Sequence, residues 1–235
     1  MKRFWTEAGA VRTEGGWQVQ LDGRPLRTPA RAPLLLPTIM LADAIAAEWQ
    51  AAQGKVAPGS LPLTGLANAA TDIVTADHGD FAESLAGYAE SELLCYRADA
   101  PLELVAHQAA HWEPLLKAVE ARHALLFRRT AGVMHVPQPP ETLARVQTLY
   151  AGFNAWQLAA LQPVVTITGS AVIALALIAG DISAEAAFDA GALEELWQAA
   201  HWGEDSLATA ARAERRRTYD AAIAFLSLIA APPLE

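Results

Sequence analysis

A single cysteine in 235 residues, Cys95, excludes an intrachain disulfide framework and leaves too few thiolates for a cysteine-based zinc site. A reducing compartment is the expectation that follows. Positive charge is also scarce, with 17 Lys and Arg against 26 Asp and Glu and a formal net charge of -9. Such a field repels phosphate backbones and anionic headgroups, so nucleic acid is not the expected partner. Long apolar runs are missing as well. The charge-free stretch from Val146 to Gly180 comes nearest to a membrane span, which needs about 20 consecutive apolar residues. Gln157, Gln162, Pro163 and the Thr166–Ser170 segment interrupt it, which points to a fully buried helix at the centre of a helical domain and not to membrane insertion. Behind Lys2 and Arg3 there is no apolar segment, and Glu7 and Glu14 do not suit a mitochondrial transit sequence, so a cytoplasmic protein is expected.

Catalytic signatures are lacking too. The one Gly-Lys pair, Gly54-Lys55, is followed by Val56 and has no glycine at the P-loop offset. The nearest approach to a nucleophile elbow, Gly169-Ser170-Ala171-Val172, lacks the second glycine, so Ser170 reads as a helix cap. Cys95 sits in Leu93-Leu94-Cys95-Tyr96, among apolar neighbours that suit a buried structural thiol.

What is present is 53% hydrophobic sequence with 18% charge, enough for one large core or two smaller ones. Trp17, Val19 and Leu21 alternate with glutamines, Asp22-Gly23 is a hairpin signal, and Glu14-Gly15-Gly16 turns back a preceding segment, Ala10–Thr13. These predict a β-meander whose strand from Arg24 is an edge because of Pro25, with Leu34–Leu36 as a further short strand. From Thr38 the period becomes helical. Leu41, Ile45 and Trp49 form an apolar stripe ended by Gly54 and Pro58 and suited to covering the sheet. A short helix over Pro62–Ala70 and a third entered near Asp80, with Phe81, Leu85, Tyr88 and Glu92 on one face, follow. Beyond Pro101 the pattern is helical throughout: Leu102–His123, Pro140–Leu161, Ser170–Ala179, Ser183–Ala200 and Ser206–Ala230. The fold class is therefore α+β, with a small N-terminal β-meander-plus-helix domain (1–95) and an all-helical C-terminal domain (96–235).

Glu103, His107 and His111 recur every four residues, the spacing of ligands stacked on one helical face. They lie opposite an apolar stripe of Leu102, Val105, Ala109, Trp112 and Leu116 and are expected in solvent, so no metal and no cofactor is assigned. Arg128-Arg129 and Arg215-Arg216-Arg217 read as solvated, ion-paired clusters. Of seven tryptophans, Trp5, Trp17, Trp49 and Trp112 are taken as core anchors. Trp197 and Trp202 are less clear. They belong to a segment in which Glu195, Gln198 and Trp202 share a helical face, Glu194, Glu204 and Asp205 add carboxylates, and Gly203 ends the helix. An indole flanked by carboxylates suits a protein partner with apolar and basic groups.

Taken in order, the motifs resemble a known family. They are Lys2-Arg3-Phe4-Trp5, Leu21–Arg31 (LDGRPLRTPAR), Pro33-Leu34, Leu36-Pro37-Thr38, Ala47-Glu48-Trp49 and Pro62–Asn68 (PLTGLAN). Leu94–Arg97, Trp112–Leu116, Thr168-Gly169-Ser170 and the Leu193-Glu194-Glu195, Gln198, Trp202-Gly203 series follow. The chain is similar over nearly its whole length to the assembly chaperones of the F1 sector of ATP synthase that act on its alpha subunit, the ATP-twelve family. The resemblance implies an α+β domain followed by a helical one, no enzymatic activity, and a monomer that binds the unassembled alpha subunit transiently and shields its beta-facing surface. It also implies a bacterial cytoplasmic setting, where eukaryotic members would occupy the mitochondrial matrix. The family's functional acidic position falls on Glu195 or Glu194, and the partner-binding set is Glu195, Glu194, Gln198, Trp202 and Glu204. Where relatives continue with further acidic residues this chain has Ser206 and Leu207. The alternative is a small-molecule-binding or hydrolytic enzyme with a site at the domain interface.

Overall fold

The computed structural model describes residues 3–54, 56–57, 59–132 and 134–230. Lys2 of the opening motif, Lys55 of the Gly-Lys pair and Pro58, assigned above to the first helix's end, lie outside them. Contacts group the chain into two compact units, the first drawn from Met1–His78, Asn154–Ala160 and Asp220–Glu235, the second from Gly79–Phe153 and Leu161–Tyr219. The sequence boundary near Cys95 divides the chain differently. Residues 79–95 group with the second unit, and two later segments return to the first.

In the first unit β1 (Ala8–Thr13), β2 (Gly16–Leu21) and β3 (Arg24–Pro25) form the antiparallel meander, in that order. Asp22 and Gly23 have φ of 48° and 76°, the left-handed pair that a type I′ hairpin turn requires. The Asp22 carboxylate accepts the Thr6 and Glu7 amides, and these bonds, Glu7's first, hold it below the usual carboxylate range. Leu34–Leu36 does not make the expected strand. It meets the sheet at an isolated bridge of Leu36 to Trp17, next to a second bridge of Pro33 to Arg27, and prolines at 33 and 37 remove ladder donors on either side.

Helix α1 (Ile39–Ala51) starts at Thr38, whose hydroxyl accepts the Leu41 amide at 3.1 Å and donates to the Leu228 carbonyl at 2.7 Å. Its stripe of Leu41, Ile45 and Trp49 is buried with Trp5, Val19, Leu21, Leu34, Leu36, Ala160 and Phe225. Trp17 packs against this core only half-buried. Glu48 caps α2 (Pro62–Ala69) by accepting the Leu63 and Thr64 amides at 2.7 and 2.9 Å, and Trp49 Nε1 donates to Thr64 Oγ1 at 3.0 Å. The family-like Ala47-Glu48-Trp49 and Pro62-Leu63-Thr64 motifs are thus two halves of one joint.

In the second unit α3 (His78–Ala86) begins two residues before the expected Asp80 and tightens into a 3₁₀ turn over Gly87–Ser91, so Tyr88 and Glu92 fall outside it. Short parallel strands β4 (Tyr96–Arg97) and β5 (Thr130–Ala131) pair nearby. Helices α4 (Leu102–His123) and α10 (Ser206–Ala230) have the expected limits. Pro140–Leu161 is two helices, α5 (Pro140–Ala151) and α6 (Ala155–Thr168). Between them Asn154 and Gln157 each accept the other's amide at 3.0 Å, a reciprocal cap that starts a new helix. Ser183–Ala200 likewise divides at Ala192 into α8 (Ala184–Gly191) and α9 (Leu193–Trp202).

Between α6 and α8 lies α7 (Ala171–Ile178), whose residues 171–176 are buried, as expected for the apolar tail, and Ser170 caps it. No described helix is long and apolar enough to cross a membrane. The fully buried Glu92 carboxylate accepts the Ser170 hydroxyl and the amides of Val172 and Leu94. Burial pushes its carboxyl up to about 7 against the pull of those bonds. Cys95 is buried, its thiol pushed up to about 12 by desolvation. The α4 stripe is rotated from the expected one. Leu104, Gln108, Trp112, Leu115, Leu116 and Val119 are buried while Leu102 is 80% exposed. A count of apolar residues alone passes over Gln108, whose Oε1 accepts the Ala98 amide at 2.8 Å and which defines the buried face.

Candidate functional site

Helix α9 is anchored by Leu193 and Trp197, both buried, which turns the intervening polar positions outward. Gly203, at φ 93°, ends it, and the Asp205 carboxylate then accepts the Leu207 and Ala208 amides at 3.0 and 2.8 Å to start α10. Trp202 is 73% exposed and meets Trp197 edge-on at 5.6 Å, while Trp197 stacks on His201.

The candidate carboxylates are engaged within the chain. Glu194 Oε1 accepts from Nε2 of the buried Gln108 at 2.5 Å. Glu195 is paired with Arg212 at 3.0 Å and with Arg215. Glu204 accepts from Thr209 and from Arg212 Nη2, the latter at 3.0 Å, and these partners, Thr209 first, hold its carboxyl below the usual range. Glu194, Glu195 and Gln198 come together, with Leu93, Trp112, Gly191 and Ala192, around an open cavity of about 320 Å³. Glu204 joins this group only through Arg212, and Trp202 stands at the helix end. Arg212, Arg215 and Gln108 were not legible as site residues, since no periodicity links partners 17, 20 or 86 positions apart.

Arg129, Arg215 and Arg217 are ion-paired as expected, while Arg128 donates to the Pro137 carbonyl at 3.1 Å. Arg215 meets Glu195, Arg217 meets Glu214, and Arg129 bonds Glu113 and Glu120. Arg216 lies 5.1 Å over the Phe188 ring. His107 and His111 sit with ring centroids 4.3 Å apart, and His111 Nδ1 bonds the His107 carbonyl at 2.8 Å. Desolvation, then His111 and His201, hold the His107 imidazole below its usual range. No group of three metal-competent side chains occurs among the described residues.

The fold is α+β, and α9 carries an exposed indole and carboxylates held by arginines of the helix that follows. The model of the ATP12 chaperone protein family matches residues 2–120. Protein atp12, mitochondrial, of Schizosaccharomyces pombe is 28% identical over 214 residues, which cover 86% of this chain and 74% of that protein. The crystal structure of Atp12 from Paracoccus denitrificans superposes with a TM-score of 0.91 at 41% identity, covering 97% of this chain and 98% of that one. A protein of Agrobacterium tumefaciens gives a TM-score of 0.91 at 38% identity over 96% of this chain and 85% of its own. The chain belongs to the ATP12 chaperone family, and with it to the chaperones of F1-ATPase assembly.

Proposed function

We propose that this protein binds the unassembled alpha subunit of F1-ATPase and shields the surface that later meets the beta subunit. It does so transiently, as a monomer in the bacterial cytoplasm, with no cofactor and no catalysed reaction. The contact runs along α9 and the turn after it, with Glu194, Glu195, Gln198, Trp202 and Glu204. The observation that carries this reading is Trp202, a large apolar side chain 73% exposed, which ends the helix that carries Glu194 and Glu195 and precedes Glu204 and Asp205 in the chain. Tryptophan in such a setting is the side chain most concentrated at interface hot spots, and flanking carboxylates favour a basic rim.

The test is capture of purified alpha subunit and suppression of its aggregation. Glu194→Gln retains an acceptor for Gln108, and Glu195→Gln retains an acceptor for Arg212 and Arg215, so melting should move little. Capture should weaken, more at low than at high ionic strength. Variants that capture alpha at wild-type strength at every ionic strength would remove these carboxylates from the contact. A wild-type chain that neither retains alpha nor keeps it dispersed would end the reading itself.

A further inference from the structure

We infer that Arg212 is a positioning residue that fixes the client-facing end of α9, an inference that rests on the function just proposed. Its guanidinium is a two-sided clamp: Nη1 reaches Glu195 Oε1 at 3.0 Å and Nη2 reaches both Glu204 oxygens at 3.0 and 3.1 Å. One partner lies in the first turn of α9, the other just past Gly203, the residue at which the helix ends. Trp202 lies between those two attachment points in the chain. A glycine at positive φ places few limits of its own on the following backbone. The turn is fixed instead by side chains: Arg212 from one side, and Asp205 capping α10 from the other.

The Arg212 side chain is 14% exposed, whereas that of Glu204 is 58% exposed. A partly desolvated guanidinium that engages two carboxylates at once uses the planar fork that lysine lacks. Thr209, three positions before Arg212 on α10, donates to the same Glu204 carboxylate, so the turn is held at two successive points of one helix. The clamp keeps the exposed indole in one orientation, and the client meets a preordered surface without first having to order it.

Labelling the full chain with 5-fluorotryptophan gives a ¹⁹F resonance for each tryptophan, and Trp202→Phe identifies that of Trp202. In Arg212→Met the Trp202 resonance should shift or broaden while the others keep their positions, melting should be nearly unchanged, and alpha-subunit capture should fall about 5- to 20-fold. Glu204→Gln should reproduce the change in milder form, and the double variant should be no weaker than Arg212→Met alone. Arg212→Lys, which can satisfy one carboxylate at a time, should fall between. Because the Glu204 side chain is largely exposed, its variant keeps the experiment readable should Arg212→Met fail to fold. An unchanged Trp202 resonance in both single variants overturns the clamp. Loss of capture with that resonance unmoved overturns it too, since Arg212 would then be touching the client itself. The resonance is read without any client, so it decides on the clamp even where alpha-subunit capture fails in the wild type.

Discussion

Trp49 shows how much one side chain can join. Its ring lies 4.9 Å from that of Trp5, and its Nε1 bonds Thr64 where α2 begins. Trp49→Ala should cost about 3–5 kcal/mol by opening a cavity, read as an early unfolding transition in urea. Normal stability with client capture lost would place Trp49 at the interface instead. Glu92 is a different case, a carboxyl group fully buried within the protein. Its native carboxyl keeps a proton up to about 7, whereas the unfolded one releases it near 4.5. The native state therefore binds more protons across that window, and stability falls as pH rises through it, by about 3 kcal/mol at most from this group. The deficit caused by Glu92→Ala should accordingly shrink between pH 5 and pH 8 in urea titrations. A deficit that stays constant would mean that the hydrogen bonds from Ser170, Val172 and Leu94 keep the group ionised throughout. Ser170 as a cap and Cys95 as a buried thiol were legible because both depend on immediate neighbours. The Glu92–Ser170 bond spans 78 positions, and no local pattern could announce it.

At the scale of elements, amphipathic period located the helices well and their breaks poorly. The limits of α4 and α10 were read correctly because proline, glycine and changes of period mark them. Continuous apolar patterning, by contrast, hid the breaks at Gly152–Asn154 and Ala192. The Asn154–Gln157 cap was in the sequence as a recognisable pair, but it stood inside a run that suited a single helix. The second break has a packing cause. A Cβ on Gly191 would lie 2.8 Å from the Cα of Thr168, so the end of α8 fits the end of α6 only without a side chain there. Gly191→Ala should therefore destabilise the protein by about 1–3 kcal/mol, visible as a lowered melting temperature. An unchanged melting temperature would show that the two helices can slide apart freely. Of the candidate site, the helix, its glycine stop and its outward carboxylates were legible. Their arginine partners were not, because those come from a different helix.

For the molecule as a whole, the order and spacing of the motifs pointed to the family without help from any single residue. The grouping into units was harder to read, since the core around α1 takes Phe225 and, packed against it, Leu226, Leu228 and Ile229 from the last helix. That composition bears on how the protein is made. Domains on a growing chain generally fold in the order in which they leave the ribosome, N-terminal first. Here the unit that contains the N-terminus also contains Asp220–Glu235, while the other closes with Tyr219. The earlier-made segment therefore waits until residues 220–230 have been made to complete its core, and the middle of the chain can fold ahead of it.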